Sequence, residues 1–499
     1  MASNSSNPKL FILNLPDPSF QIVEREYAGG FGVSRHTRLG RRSPLERPIL
    51  NLFLPYLAAV AEEAGCEYSA LDAQALGLSF SEILQEAKKF DPDIIVSMIS
   101  LPSLHADKKL LSRIKSELPN AITVACGTVC SVMPKEVLLG SNIDLASIEH
   151  FPYVNGLRCL LKGFSELTRT RDFTILSEFS YLQDSEVRKN PQKGESADFT
   201  KYHPKYEVLP LQKYQHFIDS EGNTHLFVPI LGSRGCPYNC FYCPYPLGFG
   251  NETVFQNPKI VVDEMEHLYS VAHIEGFLFR NQSFTLNLKW AENVCNEILK
   301  RGLDISWLCE ARADQTSINL LSTMARSGCK RIHYGVETGD PTLIMKAKSG
   351  VSLQTLSKAF SVARKFEIWR QAHIILGLPT ENRQSLENTL QFLLKVDPDS
   401  VAINFATPYP GTKLFHEARE KGLINTDDWS RFSSFDIVLD SRDLTDDDLR
   451  GMARRISRGT LIQRIGELFS RTLTKHASAS CRLLAKYYVP KLVRESLRL

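Results

Sequence analysis

The chain has 499 residues, of which 43% are hydrophobic and 23% charged, and a formal net charge of +3. This length allows two or three domains, and the composition excludes a disordered or collagen-like chain. No apolar run reaches the roughly 18 residues that a membrane span needs, and the N-terminus lacks the pattern of a secretory signal. We therefore expect a cytoplasmic protein.

Strand-like and helix-like stretches alternate along residues 1–165. Strands are predicted at "KLFILNL", "EYSALDA", "DIIVSMIS", "AITVACG" and "IDLASIE", with helical stretches such as "SFSEILQEAKKF" and "HADKKLLSRIKSEL" between them. Alternating β and α segments predict a parallel, doubly wound, Rossmann-like sheet. Ligands bind to such sheets at the carboxyl ends of the strands.

A second run of βα units follows a polar, irregular stretch at residues 166–225, which we interpret as a linker with an extended segment. Within residues 226–440, strands are predicted at "FVPILGS", "EGFLFRN", "DISWLCE", "KRIHYGVE", "QAHIILGLP" and "SVAINFATP". Six parallel strands with crossover helices predict a partial (β/α)6 barrel, in which the chemistry lies in the βα loops.

Residues 441–499 are predicted to be helical, beginning at a capping box made of Thr445 and Asp448. The last part of this region, 451–499, contains 11 Lys and Arg against two Glu. Two interpretations are open: a docked helix with a solvated basic face, or an amphipathic helix that meets anionic lipid. We do not expect a nucleic-acid partner, because no aromatic-rich basic patch accompanies these charges.

The stretch "GSRGCPYNCFYCPYPLGFG" gathers Cys236, Cys240 and Cys243 into a loop after the first of these six strands. The chain has 11 cysteines, an odd number that favours reduced thiols over a disulfide framework. A zinc site would need a fourth ligand, for which His216 or His225 is a candidate. Ordinary core thiols do not suit a loop rich in Gly and Pro. An iron–sulfur cluster held by three cysteines would leave one iron open to an outside ligand.

The C-x3-C-x2-C spacing after the first barrel strand resembles the signature of the radical SAM enzymes, in which an aromatic residue, here Tyr242, precedes the last cysteine. The resemblance implies a 4Fe-4S cluster on Cys236, Cys240 and Cys243, with S-adenosylmethionine (SAM) on the open iron. It also implies that reductive cleavage of SAM gives a 5′-deoxyadenosyl radical, which takes a hydrogen atom from the substrate.

Later segments extend this resemblance over roughly residues 226–430. "WLCEARAD" contains Glu310 and Arg312, "HYGVETGDP" contains Glu337, and "HIILGLPTEN" contains Gly377 and Pro379. The first resembles the family segment whose polar residues contact SAM, the second resembles the fourth-strand motif G-x-E-[ST]-G, and the third resembles the fifth-strand motif G-x-P-x-E. "ATPYPGTKL" resembles the sixth-strand segment near the adenosine. The resemblance therefore implies that these five residues, with Tyr242, help to bind the cofactor.

Two features qualify these assignments. Glu310, Arg312 and Glu337 have an alternative role as buried ion pairs that stabilise strand ends. In "FRNQSFT", Asn281 and Gln282 stand where related enzymes usually carry acidic residues. Amides form hydrogen bonds but cannot act as bases, so a carboxylate role is excluded at these two positions.

A Rossmann-like domain before a radical SAM barrel is similar to the cobalamin-binding branch, which includes C-methylases and the anaerobic magnesium-protoporphyrin ester cyclase. The resemblance implies bound cobalamin. In "CGTVCSVMP", however, Thr128 and Cys130 replace the usual Gly and His, and "SIEHFPY" keeps only Glu149 and His150 as polar residues. The alternative is a degenerate domain that only shapes the substrate pocket.

The loop after the first strand, "PDPSFQIVEREYAGGFGVSRHTRLGRR", contains Gly29, Gly30 and Gly32 and is followed by basic residues. We predict that these glycines, with Thr128 and Glu149, contact substrate or cobalamin. His333 and His373 lie on predicted barrel strands, where histidines are usually core residues, although one of them can face the cavity.

The predicted function is a cobalamin-dependent radical SAM C-methyltransferase that acts on an unactivated carbon of a hydrophobic lipid, isoprenoid or tetrapyrrole. The alternatives are a radical SAM enzyme that cyclises, rearranges or oxidises its substrate without methyl transfer, and a non-enzymatic iron–sulfur or zinc protein. The expected partners are a small hydrophobic substrate and an electron donor such as flavodoxin or ferredoxin. Peripheral membrane contact through the basic C-terminal region is also expected.

Overall fold

The computed structural model describes residues 7–17, 22–35, 47–191, 198–218 and 224–472. The chain forms two compact units, each assembled from separate stretches. The first comprises Met1–Gln215, Val228–Glu264 and Thr407–Leu439, and the second comprises His216–Phe227, Met265–Ala406 and Asp440–Leu499. Two stretches of the predicted barrel region thus pack with the N-terminal residues. The domain boundaries given by the sequence stay a prediction.

The strands of the N-terminal region are β1 (Leu10–Asn14), β2 (Ile22–Glu24), β3 (Val33–Arg35), β4 (Tyr68–Asp72), β5 (Ile94–Met98), β6 (Ile122–Cys126), β7 (Leu145–Ser147), β8 (Phe179–Gln183) and β9 (Glu186–Lys189). Seven of them form a sheet in the order β4-β1-β5-β6-β7-β8-β9, and β2 pairs with β3 alone. The β4 to β7 part is parallel. This is the predicted doubly wound sheet, and its order is that of flavodoxin-like folds.

Helices cover both faces of this sheet: α1 (Phe53–Glu63), α2 (Ala73–Leu76), α3 (Phe80–Phe90), α4 (Leu104–Glu117), α5 (Thr128–Val132), α6 (Pro134–Leu138) and α7 (Val154–Thr170). Side chains alternate between the faces of a strand. Phe11, Leu13 and Ile95 therefore share a core with residues of α3, α4 and α6. Val96 and Val124 point to the opposite face, toward α1 and α7.

A hairpin extends the sheet where the sequence predicts an irregular linker. β8 pairs antiparallel with β7 and with β9. The two residues of its turn, Asp184 and Ser185, have φ angles of 52° and 63°, as a type I′ turn requires. Asn-Gly or Asp-Gly is the usual signal for this turn, so the Asp-Ser pair did not reveal the hairpin.

The remaining strands are β10 (His216–Ile218), β11 (Thr224–Ile230), β12 (Ser233–Arg234), β13 (Val254–Phe255), β14 (Gly276–Phe279), β15 (Ser306–Ala311), β16 (Cys329–Glu337), β17 (Trp369–Leu376) and β18 (Ser400–Phe405). The second large sheet has the order β10-β11-β14-β15-β16-β17-β18, and β14 to β18 are parallel. All six predicted strands are present, in the order of a partial (β/α) barrel. β10 adds an antiparallel edge beside β11.

The helices of this part are α8 (Tyr245–Phe249), α9 (Pro258–Ala272), α10 (Leu288–Arg301), α11 (Ile318–Arg326), α12 (Pro341–Ala347), α13 (Leu353–Lys365), α14 (Arg383–Val396), α15 (Lys413–Glu420) and α16 (Asp446–Thr472). The predicted capping box at the start of α16 is confirmed. The Thr445 amide donates to Asp448 Oδ2 at 3.0 Å, and the Asp448 amide donates to Thr445 Oγ1 at 3.2 Å.

The rest of the predicted basic region, residues 473–499, lies outside the described residues. Its proposed amphipathic face therefore has no structural description. Among the helices that the structure describes, none combines the length and the hydropathy that crossing a membrane requires.

Candidate active site

The three cysteines lie in a loop of the first unit, after β12 along the chain. All three residues are partly exposed. The amide of Cys236 donates to the Gly250 carbonyl at 3.0 Å, which closes the base of the loop, and the amide of Cys243 donates to the Cys240 carbonyl at 3.2 Å. Tyr242 is half-buried in the turn between these last two cysteines. The backbone thus folds the cysteine segment back on itself.

Glycine is required at the base of this loop. Gly235 has a φ angle of +92°, and a Cβ atom there would lie 1.9 Å from the Glu252 carbonyl oxygen. Only a residue without a side chain permits this approach. The glycine that precedes Cys236 therefore allows the loop to pass close to the strand pair β12–β13.

The donor chemistry of the loop fits an iron–sulfur cluster. Thiolates are the usual ligands of such clusters, and the three cysteines lie within one solvent-accessible loop. Within the described ranges, no three metal-ligating side chains are already gathered in binding geometry. His216 and His225, the candidate fourth ligands of a zinc site, lie on β10 and β11 in the second unit. Cys236, Cys240 and Cys243 would hold the cluster.

Two of the predicted SAM contacts at the strand ends of the second unit lie in buried ion pairs. The guanidinium of Arg312 contacts the Asp314 carboxylate at 2.9 Å and donates to the Ser349 carbonyl at 2.9 Å. The ammonium of Lys348 contacts Glu337 Oε1 at 3.0 Å. These are the ion pairs that formed the alternative interpretation, and the contact of Arg312 and Glu337 with SAM stays a prediction.

The predicted segment after β17 forms a tight turn. Gly377 has a φ angle of +84°, and its amide donates to Glu381 Oε2, while Pro379 is half-buried beside them. Glu381 is almost completely buried, and this burial raises its pKa to about 7. In the described part of the chain, its other oxygen, Oε1, has no hydrogen-bond partner. Glu381 belongs to the "HIILGLPTEN" segment that resembles the family's fifth-strand motif.

A polar cluster on one face of the second sheet was not expected. Glu310 is paired in register with His333, and His333 with Gln371, so these side chains share a face. His373, two residues beyond Gln371, is on the same face, and its ring lies 5.2 Å from that of His333 at an angle of 28°. The sequence signal that could have predicted this cluster is the alternation of polar and apolar residues along the neighbouring strands β15, β16 and β17.

Both imidazoles of this cluster favour the neutral form. Burial lowers the pKa of His333 well below its usual range, and the neighbouring His373 and Arg331 lower it further. Burial also lowers the pKa of His373, although the carboxylates of Glu310 and Glu337 oppose this effect. At neutral pH the pair therefore offers one donor and one acceptor per ring rather than positive charge.

The amides that replace acidic residues after β14 are also buried. Asn281 is buried, and both polar atoms of the Gln282 amide are shielded from solvent without a hydrogen-bond partner among the described residues. Such orphaned groups are rare in folded proteins and call for an explanation. A ligand bound at this strand end would supply one.

In the N-terminal sheet, the predicted contact residues interact with their own chain. Thr128 begins α5, and its hydroxyl donates to the Gly29 carbonyl at 2.6 Å. The carboxylate of Glu149 accepts from the amides of Asn155 and Gly156 at 3.0 and 2.8 Å, at the start of α7. Burial raises the pKa of Glu149 to about 7. A role of these residues toward cobalamin or substrate stays a prediction.

The crevice between β1 and β5 is filled by an arginine. Arg25 is fully buried, and its guanidinium donates to Asp107 at 2.9 Å, to Ser103 at 2.8 Å and to the Leu15 carbonyl at 2.8 Å. This is the switch point of the sheet, where ligands of doubly wound folds usually bind. The side chain of Arg25 therefore occupies the usual ligand position at this edge.

A small cavity remains elsewhere in the same domain, between the sheet and the helices α1 and α7. It has a volume of about 10 Å3 and is lined by Leu57, Val96, Val124, Cys126, Ser147, Tyr153, Leu157, Leu160 and Phe179. The hydroxyl of Tyr153 is buried without a hydrogen-bond partner in the described ranges. A volume of this size admits at most one water molecule, so this cavity does not itself receive a cofactor.

Two family models match the chain. Residues 230–393 match the radical SAM superfamily, and residues 46–150 match the B12 binding domain. The first range contains the three cysteines and the strand ends of Glu310, Arg312, Glu337 and Gly377. The matches confirm the predicted cofactors, because a radical SAM domain implies a 4Fe-4S cluster with SAM and a B12 binding domain implies cobalamin.

Curated relatives cover most of the chain. An uncharacterised methyltransferase of Pyrococcus horikoshii is 28% identical over 406 residues, which are 81% of this chain and 86% of that protein. The anaerobic magnesium-protoporphyrin IX monomethyl ester cyclase of Cereibacter sphaeroides is 22% identical over 407 residues, 79% of this chain and 64% of that protein. The hopanoid C-3 methylase of Methylococcus capsulatus is 22% identical and covers 78% of this chain and 72% of its own length.

Solved structures share the fold. The radical SAM methyltransferase TsrM from Kitasatospora setae, solved with cobalamin and a 4Fe-4S cluster, matches with a TM-score of 0.67 and 14% identity, over 92% of this chain and 89% of that one. The cobalamin-dependent SAM radical enzyme OxsB, solved with aqua-cobalamin and SAM, matches with a TM-score of 0.71 and 16% identity. The match covers 98% of this chain and 72% of that one. At these identities the likeness concerns the fold alone.

Proposed function

We propose that this chain, which combines a radical SAM domain with an N-terminal B12-binding domain, is a cobalamin-dependent methyltransferase that acts on an unactivated carbon atom. One observation carries the proposal: three partly exposed thiols in one loop, in a chain that also contains a B12-binding domain. When bound, the cluster with SAM supplies a hydrogen-abstracting radical and cobalamin supplies the methyl group. Relatives described as methyltransferases support this assignment.

The chain's own residues would bind and orient these groups. Cys236, Cys240 and Cys243 hold the cluster and leave one iron open. Arg312 and Glu337, buried near the ends of β15 and β16, are proposed to bind the charged groups of SAM. Tyr242, Glu310, Gly377 and Pro379 complete the predicted cofactor contacts.

The proposed substrate is a small hydrophobic molecule that also carries polar substituents. Two relatives of this chain support a hydrophobic substrate: a methyltransferase of Chlorobaculum tepidum named for bacteriochlorophyllide d, and the methylase named for hopanoids. The cluster of Glu310, His333, Gln371 and His373 supports the polar part, because these side chains share one face of the sheet. In the described part of the chain, Nε2 of His333 is buried without a hydrogen-bond partner. Flavodoxin or ferredoxin is the proposed electron donor, and the basic C-terminal region is the proposed membrane contact.

The proposal is tested by anaerobic reconstitution of the full chain and of two cysteine variants. Cys240→Ala removes one predicted ligand, and Cys159→Ala removes a partly exposed thiol on α7 as a matched control. We expect the wild type and C159A to hold about four irons per chain and to release 5′-deoxyadenosine from SAM on reduction. We expect C240A to do neither. SAM cleavage by C240A at the wild-type rate would contradict the proposal.

A further inference from the structure

The segment between β2 and β3 is anchored at the carboxyl edge of the N-terminal sheet. Arg25, at its start, is held by Asp107 and Ser103, and the amide of Leu101 donates to the carbonyl of Phe31, near its end, at 2.6 Å. The ring of Phe31 stacks on Tyr409 with centroids 5.3 Å apart. Both ends of this segment, which we call the glycine turn (residues 25–32), are therefore fixed by buried contacts.

One side of the glycine turn rests on the start of α5. The Thr128 hydroxyl donates to the Gly29 carbonyl at 2.6 Å. A Cβ atom on Gly30 would lie 2.5 Å from that hydroxyl oxygen. This contact has no room for a side chain. The turn therefore packs directly against the start of α5, which follows the end of β6.

The other side of the turn touches the residues that follow the third cysteine. A Cβ on Gly29 would lie 2.6 Å from both the carbonyl carbon and the carbonyl oxygen of Pro244, the neighbour of Cys243. A Cβ on Gly248 would lie 2.0 Å from the Gly29 carbonyl oxygen. Backbone therefore packs directly on backbone, without a flexible side chain to absorb a displacement.

A second contact ties α8 to the same sheet. The amide of Phe151 donates to the Gly248 carbonyl at 2.9 Å, and its ring lies 4.9 Å from that of Phe249. The segment after Cys243 is thus held between two loops that leave the carboxyl edge of the N-terminal sheet, one after β1 and one after β7.

We infer that the glycine turn is a positioning element that fixes the cysteine loop against the B12-binding domain. Gly29 of the turn and Gly248 of α8 are the positioning residues. The inference rests on the proposed function, because it requires that the cysteines hold the cluster. Rigid contact from strand end to glycine turn to Pro244 sets where Cys243, and hence the cluster, lies in relation to the domain that binds cobalamin. Gly29 and Gly30 therefore make close contacts within the protein.

Gly29→Ala is the direct test, with Gly77→Ala as its matched control. Both glycines have left-handed backbone, with φ angles of +63° and +70°, but a Cβ on Gly77 meets nothing within 4 Å. Both variants therefore carry the same backbone strain, and only G29A presses on Pro244. The full chain is reconstituted anaerobically, and iron content, the electron paramagnetic resonance spectrum of the reduced cluster, its midpoint potential and SAM cleavage are measured.

We expect G77A to match the wild type in all four readouts. In G29A we expect shifted g values, a shifted midpoint potential and SAM cleavage slowed about tenfold, with far-ultraviolet circular dichroism unchanged. If G29A fails to fold, Thr128→Val replaces it, since it removes the 2.6 Å hydrogen bond at constant shape; we expect smaller shifts of the same readouts. Thr168→Val, on the exposed surface of α7, is its control.

The inference would be overturned if G29A, or T128V in its place, had the same cluster spectrum and midpoint potential as its control. The proposed function fails in a different way. In that case the wild-type chain itself binds no cluster and is indistinguishable from C240A.

Discussion

The carboxyl edges of the two large sheets differ in how fully the polar side chains named below are hydrogen-bonded within the chain. At the first edge, the buried Arg25 donates to side chains and to the Leu15 carbonyl, and Thr128 and Glu149 bond to their own chain. At the second edge, atoms of Gln282 and Glu381 are buried without a partner in the part of the chain that the structure describes. A buried orphan costs about 1–3 kcal/mol. The side chains of Arg25, Thr128 and Glu149 are thus satisfied within the chain, although the Tyr153 hydroxyl of the same domain is buried without a partner among the described residues. At the second edge, Gln282 and Glu381 leave polar atoms for a ligand.

The largest effect on stability is expected from Arg25→Met, which leaves Asp107 buried without its charge partner. We expect a loss of about 3–5 kcal/mol in the free energy of unfolding, followed by circular dichroism in denaturant. Lys88→Met is the control, because its pair with Glu117 is about half-exposed and such pairs contribute roughly 1 kcal/mol or less. Equal stability of R25M and K88M would show that the first edge does not depend on this network.

Glu381 gives the second edge a pH dependence. The pKa of Glu381 rises from 4.5 to about 7 on folding because the carboxyl is buried. The stability that this group contributes is therefore complete below its unfolded-state pKa and is lost as the pH rises to 7. We expect stability to fall between pH 5 and pH 7 by on the order of 1.4 kcal/mol per pH unit for this group. Glu381→Gln should reduce that slope, as measured by thermal unfolding at each pH. An unchanged slope in E381Q would show that Glu381 does not titrate in this way.

A smaller effect, opposite in sign, is expected from Gln282→Leu. The substitution removes two buried polar atoms that have no partner among the described residues, and we expect the ligand-free chain to gain about 1–3 kcal/mol. SAM or substrate should then bind more weakly, as measured by isothermal titration calorimetry with SAM. Gln391→Leu, at an exposed position of α14, should change neither quantity. Lower stability in Q282L would mean that the amide is satisfied in the folded chain.

Features of the two sheets that depend on local sequence could be predicted, whereas contacts between distant residues could not. The six barrel strands are apolar runs bounded by turns, and the capping box of Thr445 and Asp448 is local, so both were predictable. The network of Arg25 joins residues up to 82 positions apart, and no local pattern marks such a contact. The stacked rings of His333 and His373 depend on strand register, which the sequence does not fix.

The N-terminal site shows the same limit. The glycines after β1 were predicted as ligand contacts because Gly permits close approach. The structure shows that Gly29 and Gly30 closely approach Pro244 and Thr128 of the same chain, and their contact with a ligand stays a prediction. Sequence alone does not distinguish a glycine that admits a ligand from one that admits another backbone segment.

Methyl transfer by this chain would use SAM in two ways, as the source of the radical and as the source of the methyl group. The most direct measurement is mass spectrometry of the SAM products of the reconstituted, reduced chain, with and without added hydroxocobalamin. We predict 5′-deoxyadenosine in both samples and S-adenosylhomocysteine only when cobalamin is present. Formation of 5′-deoxyadenosine alone in both samples would contradict methyl transfer and point to cyclisation, rearrangement or oxidation instead.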